Sequence, residues 1–517
     1  MKRFNIAGPC DPRHHYMIPA APRLPDAPAL VAQGAYFALH APRQTGKTTT
    51  LRALAARLTA DGAYAALYFS CESLRTVTDL ARLQIALLEI MRERAERQLP
   101  ADCQPPPAWP DADPVRILSK GLAAWCGQSA RPLVLFFDEV DVLIGDALVT
   151  VLSQLRDNYA DRPDHAPWSV ALCGLRDVRD YKMASGGDPQ HLGSSSPFNI
   201  KTRSLRLHDF TLDDIRALYA QHTADGGPRY TDDAIDAVAR LTGGQPWLVN
   251  AIARDLSEQS PAPPIDAAAV DAAAGRLIRA RATHIDSLLA RLREPRVRRI
   301  IEPLLAGTTA VGPTFREDFE YTRDLGLVVA DPELRVANPI YREVIARELA
   351  TGVEQGHLPG PRRFVTRDGR LDMGALLDAF GEWWAQHGET VAARLDDHEV
   401  APQLVLMAFL QRVVNGGGFV DREYGIGRGA IDLLVRWPLP DGTWQREGIE
   451  LKVWHDKKPD PIDAGLGQLD GYLARLGLAT GALVVFDRRT HRPPIADRLH
   501  HTTTTSPAGR AIRVLRA

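Results

Sequence analysis

The most constraining feature of the chain lies between an apolar run, Ala35-Tyr36-Phe37-Ala38-Leu39-His40, and a helical pattern over Thr49 to Leu58. The residues between them read Ala41-Pro42-Arg43-Gln44-Thr45-Gly46-Lys47-Thr48. A tight loop after a strand and before a helix turns its backbone N–H groups toward phosphate oxygens. The helix N-terminus adds a favourable dipole. In that context Lys47 reaches the β- and γ-phosphates of a nucleotide, and Thr48 holds Mg²⁺ through its hydroxyl. Ala41, Pro42, Arg43, Gln44, Thr45, Gly46, Lys47, Thr48 and Thr49 are thus the expected ATP contacts. Ala41 stands where such loops usually carry their first glycine, and a methyl group is tolerated there while φ stays negative.

A second apolar run, Leu133-Val134-Leu135-Phe136-Phe137, ends in Asp138-Glu139. A strand in this place delivers Asp138 to the Mg²⁺ shell of the nucleotide and Glu139 to the attacking water. Further strands are predicted at Ala65–Ser70 and Ser169–Cys173, and that of Asp138 covers Pro132–Phe137. Helices are predicted over 75–98 and 147–157. Pro100, Pro105, Pro106, Pro107 and Pro110 make 100–110 a loop. Strands alternating with helices point to a parallel sheet covered on both faces, an α/β class.

Other stretches narrow the resemblance. They are His15-Tyr16-Met17-Ile18-Pro19, Gly174-Leu175-Arg176-Asp177-Val178-Arg179-Asp180-Tyr181, Ser196-Pro197-Phe198-Asn199-Ile200 and Gly243-Gly244-Gln245-Pro246-Trp247. With the loop and the Asp138-Glu139 strand, they make residues 4–350 resemble the prokaryotic AAA-like P-loop ATPases, relatives of the AAA+ and STAND NTPases. The resemblance implies a P-loop ATPase core over 1–205, a helical lid over 206–292 and a winged-helix unit over 293–352. It also implies that the end of the fourth strand senses the γ-phosphate. Arg176 and Arg179 become sensor or finger candidates near ATP, with surface ion pairs to Asp177 and Asp180 as the plainer reading. Gly243–Trp247 either closes the lid near the nucleotide or is a helix break before a Pro-started helix.

Residues 353–372 are rich in Gly, Pro and Arg and read as a linker. The remainder, 373–517, carries a second constellation. One predicted strand holds Asp432 within Ala430-Ile431-Asp432-Leu433-Leu434-Val435, and the next reads Gly448-Ile449-Glu450-Leu451-Lys452-Val453-Trp454. Side chains alternate along a strand, so Glu450 and Lys452 share one face. Charged groups inside an apolar strand need a partner or a metal. Asp432 and Glu450 form a carboxylate pair suited to Mg²⁺, with Lys452 beside it to orient a water and offset charge. Glu423 on a preceding strand is either an added ligand or a solvent-facing residue.

This D…ExK order resembles the PD-(D/E)xK nucleases, over about residues 375–490. Gln468-Leu469-Asp470-Gly471-Tyr472 matches the QxxxY element of their RecB-like branch, and on a helix Gln468 and Tyr472 share a face. The resemblance implies a restriction-endonuclease-like α/β domain, with Gln468 arranging the metal site and Tyr472 contacting DNA or bracing the site. The proline usual before the aspartate is Ile431 here.

Composition bounds the partners. Lys+Arg 62 against Asp+Glu 64 gives a net charge of −2, so no global field attracts nucleic acid or an anionic membrane. Local basic surface must do so, and Arg276–Arg299 is the strongest candidate, the rival reading being a solvated helical face. The five cysteines, Cys10, Cys71, Cys103, Cys126 and Cys173, form no CxxC pair, which fits a reducing cytoplasmic setting. No apolar run reaches the roughly 20 residues of a membrane helix. Two readings of function are open. One is an ATP-controlled, Mg²⁺-dependent nuclease acting on DNA, possible as a homo-oligomer. The other is a regulatory NTPase whose C-terminal fold binds nucleic acid without cutting.

Overall fold

The computed structural model describes residues 2–19, 21–175, 201–259, 264–280, 290–305, 315–331, 333–351, 364–388, 418–426, 429–456 and 458–517, with isolated positions at 288, 402, 405–407 and 409–410. The chain divides into two compact units. One comprises Met1–His284, Phe319–Val329 and Ala337–Ile340, the other Ile285–Asp318, Ala330–Val336 and Tyr341–Ala517. Among the described residues no helix is long and apolar enough to cross a membrane.

The first unit is built on five strands, β1 (Tyr36–His40), β2 (Ala65–Ser70), β3 (Leu133–Asp138), β4 (Ser169–Gly174) and β5 (Lys201–Arg206). Their order is β2-β3-β4-β1-β5, and all pair in parallel. Strand alternation splits the apolar runs between two cores. Tyr36, Leu67, Phe69, Leu135 and Phe137 face helices α2 (Leu80–Gln98), α3 (Ile117–Gln128) and α4 (Asp146–Asp157). Phe37, Leu39, Ala66, Val134 and Phe136 face α1 (Lys47–Ala60) and the short helix Ala27–Ala32. A parallel sheet buried on both faces therefore explains why these strands read as unbroken apolar runs. The predicted helix over 75–98 starts later, at Leu80, because the Asp79 side chain accepts from Arg82 N and caps it. Strand β5 escapes the sequence reading. Lys-Thr-Arg-Ser-Leu-Arg offers only Leu205 to a core, and the strand is an edge held by its ladder to β1.

Beyond the sheet come α5 (Leu212–Ala224), α6 (Asp232–Thr242), α7 (Pro246–Gln259) and α8 (Ala267–Ala280). Thr211 and Asp214 form a reciprocal cap at the start of α5. The region read as winged helix contains α9 (Pro295–Leu305), α10 (Arg316–Asp324) and α11 (Pro339–Thr351).

The second unit carries a mixed six-stranded sheet. Helix α12 (Met373–Trp383) precedes β6 (Phe419–Ile426), β7 (Gly429–Pro438) and β8 (Trp444–Trp454). Then follow α13 (Ile462–Leu476), β9 (Thr480–Asp487), β10 (His500–Thr505) and β11 (Ala511–Arg516). The order is β10-β11-β9-β8-β7-β6. Strands β6, β7 and β8 run antiparallel in sequence, whereas β8, β9 and β11 are parallel. Helix α13 crosses between β8 and β9 and packs Leu466, Leu469 and Leu473 onto Leu434, Leu483 and Val485. Phe364 and Leu371, from the stretch read as a linker, are buried, and Gln445 bonds both backbone groups of Leu371.

Candidate active sites

The first site lies at the C-terminal ends of β1 and β3. Gly46, with φ of 91°, caps α1, and Gln44 before it also has a positive φ of 58°. These two residues turn the chain sharply enough to aim the loop at the helix terminus. Ala41 is wholly buried. Gln44 and Glu139 are the non-glycine residues of positive φ among the described ones, so Ala41 keeps a negative φ and its methyl group is accommodated. Lys47 folds back onto the loop, donating from Nζ to the carbonyls of Ala41 (2.7 Å) and Pro42 (2.8 Å). Desolvation in this cleft lowers its pKa.

Thr48 donates from Oγ1 to Asp138 Oδ2 at 2.6 Å, and Tyr68 OH donates to the same oxygen at 3.0 Å. Ser70 donates to Glu139 Oε2 at 2.5 Å. Glu139 sits at φ 58°, a left-handed conformation that costs a side-chain-bearing residue about 1–2 kcal/mol. Burial raises its carboxyl pKa. Tyr68 and Ser70 went unread in the sequence, because only the β2–β3 register, Ser70 opposite Asp138, brings them to the site.

A cavity of about 600 Å³ opens over this loop. Asn5–Cys10, Tyr16–Ile18 and Arg23 of the N-terminal lead-in line it, together with Leu175, Phe210, Leu218, Pro246, Trp247 and Asn250. Cys10 N donates to Thr49 Oγ1 at 3.1 Å, and Trp247 Nε1 donates to the Ile6 carbonyl at 2.8 Å. The Gly243–Trp247 segment thereby borders the cavity. Gly244 has φ 79° and passes so close to Phe210 that a Cβ there would lie 2.1 Å from its carbonyl oxygen. Arg176 and Arg179 lie outside the described residues.

The second site lies on the α13 face of the C-terminal sheet. Asp432 accepts from Leu451 N at 2.7 Å, which ties β7 to β8. Glu450 is wholly buried, and Lys452 donates to its Oε1 at 2.8 Å. Lys452 also donates to Gln468 Oε1 at 2.8 Å, and Gln468 Nε2 reaches Tyr472 OH at 3.2 Å. Gly465 makes this possible, since a Cβ there would lie 2.8 Å from Leu483 Cδ1 and 3.4 Å from Lys452 Cγ. The structure thus brings Asp432, Glu450, Lys452, Gln468 and Tyr472 into one cluster. The Glu423 side chain lies outside the described ones.

Burial drives the Glu450 pKa up to about 7. The Asp432 carboxylate pushes the same way, and Lys452 opposes both. Glu450 Oε2 is buried with no hydrogen-bond partner. An orphaned carboxylate oxygen next to a second carboxylate fits a hard divalent cation. Among the described residues no group of three His, Cys, Asp or Glu side chains is placed to hold a metal. Two carboxylates suit Mg²⁺, which keeps several waters. At the first site, the Thr48 hydroxyl and Asp138 carboxylate form an oxygen set of the same kind.

Five arginines of the basic stretch are paired with carboxylates. Arg276 pairs with Asp255, Arg291 and Arg296 with Glu294, Arg298 with Glu302 and Arg299 with Asp318. Such exposed pairs fit a solvated helical face; the Arg279 and Arg281 side chains lie outside the described ones.

No family model and no curated protein matches the sequence. Among solved structures, a Walker-type ATPase of Pyrococcus abyssi is similar at 14% identity and a TM-score of 0.45, over 66% of this chain and 99% of that one. The RuvB Holliday junction branch migration motor of Thermotoga maritima aligns at 15% identity and 0.33, over 63% and 93%. Cdc6p from Pyrobaculum aerophilum aligns at 13% identity and 0.34, over 63% and 91%.

Proposed function

We propose that the chain is an ATP-binding and ATP-hydrolysing switch joined to a Mg²⁺-dependent nuclease that hydrolyses phosphodiester bonds in DNA. One observation carries the reading: each unit sets a pair of oxygen-bearing side chains near a half-buried lysine, Thr48 and Asp138 with Lys47, and Asp432 and Glu450 with Lys452.

At the first site Lys47, released from the Ala41 and Pro42 carbonyls, neutralises the β- and γ-phosphates. Thr48 and Asp138 hold Mg²⁺, and Glu139, positioned by Ser70, orients the attacking water. At the second site Asp432 and Glu450 hold Mg²⁺. An ion held there would supply Lewis acidity, polarising the phosphodiester and lowering the pKa of a water. Lys452 offsets the charge that builds on the phosphate, and Gln468 with Tyr472 keeps its ammonium in place. The lid over 206–292 and a winged-helix unit over 293–352 transmit the nucleotide state to the nuclease.

The test is plasmid cleavage by the full chain in Mg²⁺, with and without ATP, beside Lys452→Ala and Lys47→Ala. The expected result is cutting that Lys452→Ala loses by at least about a hundredfold and that Lys47→Ala uncouples from ATP. A pure wild type that binds DNA but does not cut it with any divalent metal removes the nuclease and leaves the regulatory NTPase.

A further inference from the structure

Arg23 lines the nucleotide cavity, and the mechanism above gives it no task. It ends the short turn Ala21–Arg23 in the lead-in and is only 8% exposed. Burying a guanidinium is costly unless an anion compensates it. Here the compensation is thin. Nη2 donates to the His208 carbonyl at 2.5 Å, and the group lies 4.8 Å from the centre of the Phe210 ring. Nε is buried without a partner. Asp209 and Asp214 act on Arg23 through space, and among the described residues no carboxylate forms an ion pair with it. Burial pulls its pKa down to about 10.

Its position is specific. Nη1 lies 3.0 Å from where a Cβ on Gly46 would sit. Gly46 caps α1 and directly precedes Lys47. Arg23 therefore borders the loop that leads into the N-terminus of α1. A buried cation at a helix N-terminus, with an unpartnered Nε and no ion pair among the described residues, is arranged for an anionic ligand.

We propose that Arg23 is a second fixed cation of the phosphate site, a positioning residue that donates from Nη1 to the phosphate chain of the bound nucleotide. The proposal rests on the nucleotide-binding reading of the cavity. The rival role is purely structural, with Arg23 pinning the lead-in to the His208–Phe210 segment. The two differ in what they do to ligands. A phosphate contact weakens ATP and ADP and spares adenosine. A pin weakens all three alike.

The experiment measures affinities of the full chain for ATP, ADP and adenosine in Mg²⁺, by calorimetry and by competition, for the wild type, Arg23→Gln, Arg23→Lys and Lys47→Ala. Arg23→Gln is expected to weaken ATP and ADP about ten- to hundredfold, with adenosine changed less than about twofold. Arg23→Lys restores part of the loss. Equal losses for ATP and adenosine, or an unchanged ATP affinity, overturn the proposal. If Arg23→Gln does not fold, Arg23→Lys carries the test, since it keeps charge but not the planar fork. Its ATP affinity then falls while adenosine holds, and a parallel fall overturns the idea. A wild type that binds no ATP sinks the nucleotide reading itself, and Arg23 with it. A wild type that binds ATP through Lys47 but ignores Arg23 sinks only this step.

Discussion

The two candidate sites hold a lysine beside a carboxylate at opposite ends of the chain, yet they are built by different means. In the N-terminal unit the backbone does most of the work. Lys47 is held by two carbonyls, and three residues of the site take positive φ, Gln44, Gly46 and Glu139. In the C-terminal unit regular strands supply the geometry, and side chains balance one another. Lys452 is held by Glu450 and Gln468, and one oxygen of Glu450 is left over. A backbone-built site is sensitive to conformation, because a misplaced dihedral moves every donor at once. A side-chain-built site is sensitive to charge, because burial makes each uncompensated group costly. Substitutions separate the two designs.

The largest effect is expected at Asp432. Replacing it with Asn keeps the size and leaves an acceptor for Leu451 N, but removes one of two negative charges from the cation site. Cleavage of DNA should fall by at least about a hundredfold, while ATP hydrolysis stays within about twofold. Parallel rate assays on the same preparation check both. Cleavage that survives Asp432→Asn would falsify the two-carboxylate account.

Next is Gly46. An alanine there takes an unfavourable left-handed φ, worth about 1–2 kcal/mol, and its methyl group meets the Arg23 guanidinium at 3.0 Å. ATP affinity should drop by about tenfold. Metal-dependent cutting measured without ATP should not change. If Gly46→Ala binds ATP as tightly as the parent, the loop is not set by its backbone, and the contrast between the sites disappears.

What the sequence discloses follows the same division. The loop from Ala41 to Thr48 and the Asp138-Glu139 strand end are contiguous in the chain, and their spacing announces them. Glu450, Lys452, Gln468 and Tyr472 are also legible, because strand alternation and helical i,i+4 spacing place each pair on one face. The illegible parts depend on register and long-range approach. Ser70 reaches Glu139 only because β2 and β3 pair with Ser70 opposite Asp138. Arg23 meets Gly46 because the lead-in returns over the loop, and nothing in Pro22-Arg23-Leu24 marks it. The polar edge strand β5 lacks the alternation that would show it, since only Leu205 joins a core beside the backbone ladder to β1. The arginines of 276–299 look like a basic stripe in one dimension. Two of their carboxylate partners, Asp255 and Asp318, come from other elements.

The smallest effect tests charge balance directly, through stability and not activity. The Glu450 carboxyl is raised from 4.5 to about 7 in the folded chain, first by burial and then by Asp432. An unfolded chain releases that proton near the ordinary value. Between these two pH values the folded state therefore binds more protons than the unfolded state, and stability falls as pH rises through the window. The contribution is fully present below about pH 4.5 and is lost above about pH 7. With metal chelated, the C-terminal unit should lose on the order of 1–3 kcal/mol between pH 5 and 8 from this group. Glu450→Gln has no carboxyl to ionise, so its unfolding midpoint should lack that part of the slope and lie above the wild type at pH 8. Adding Mg²⁺ at pH 8 should raise the wild-type midpoint and leave the variant nearly unmoved, because the cation compensates the charge that the glutamine no longer carries. Thermal unfolding of both proteins across this range, with chelator and then with Mg²⁺, makes the comparison. Identical pH slopes for the two proteins would mean that Glu450 ionises without penalty, and a carboxylate so well solvated needs no metal beside it.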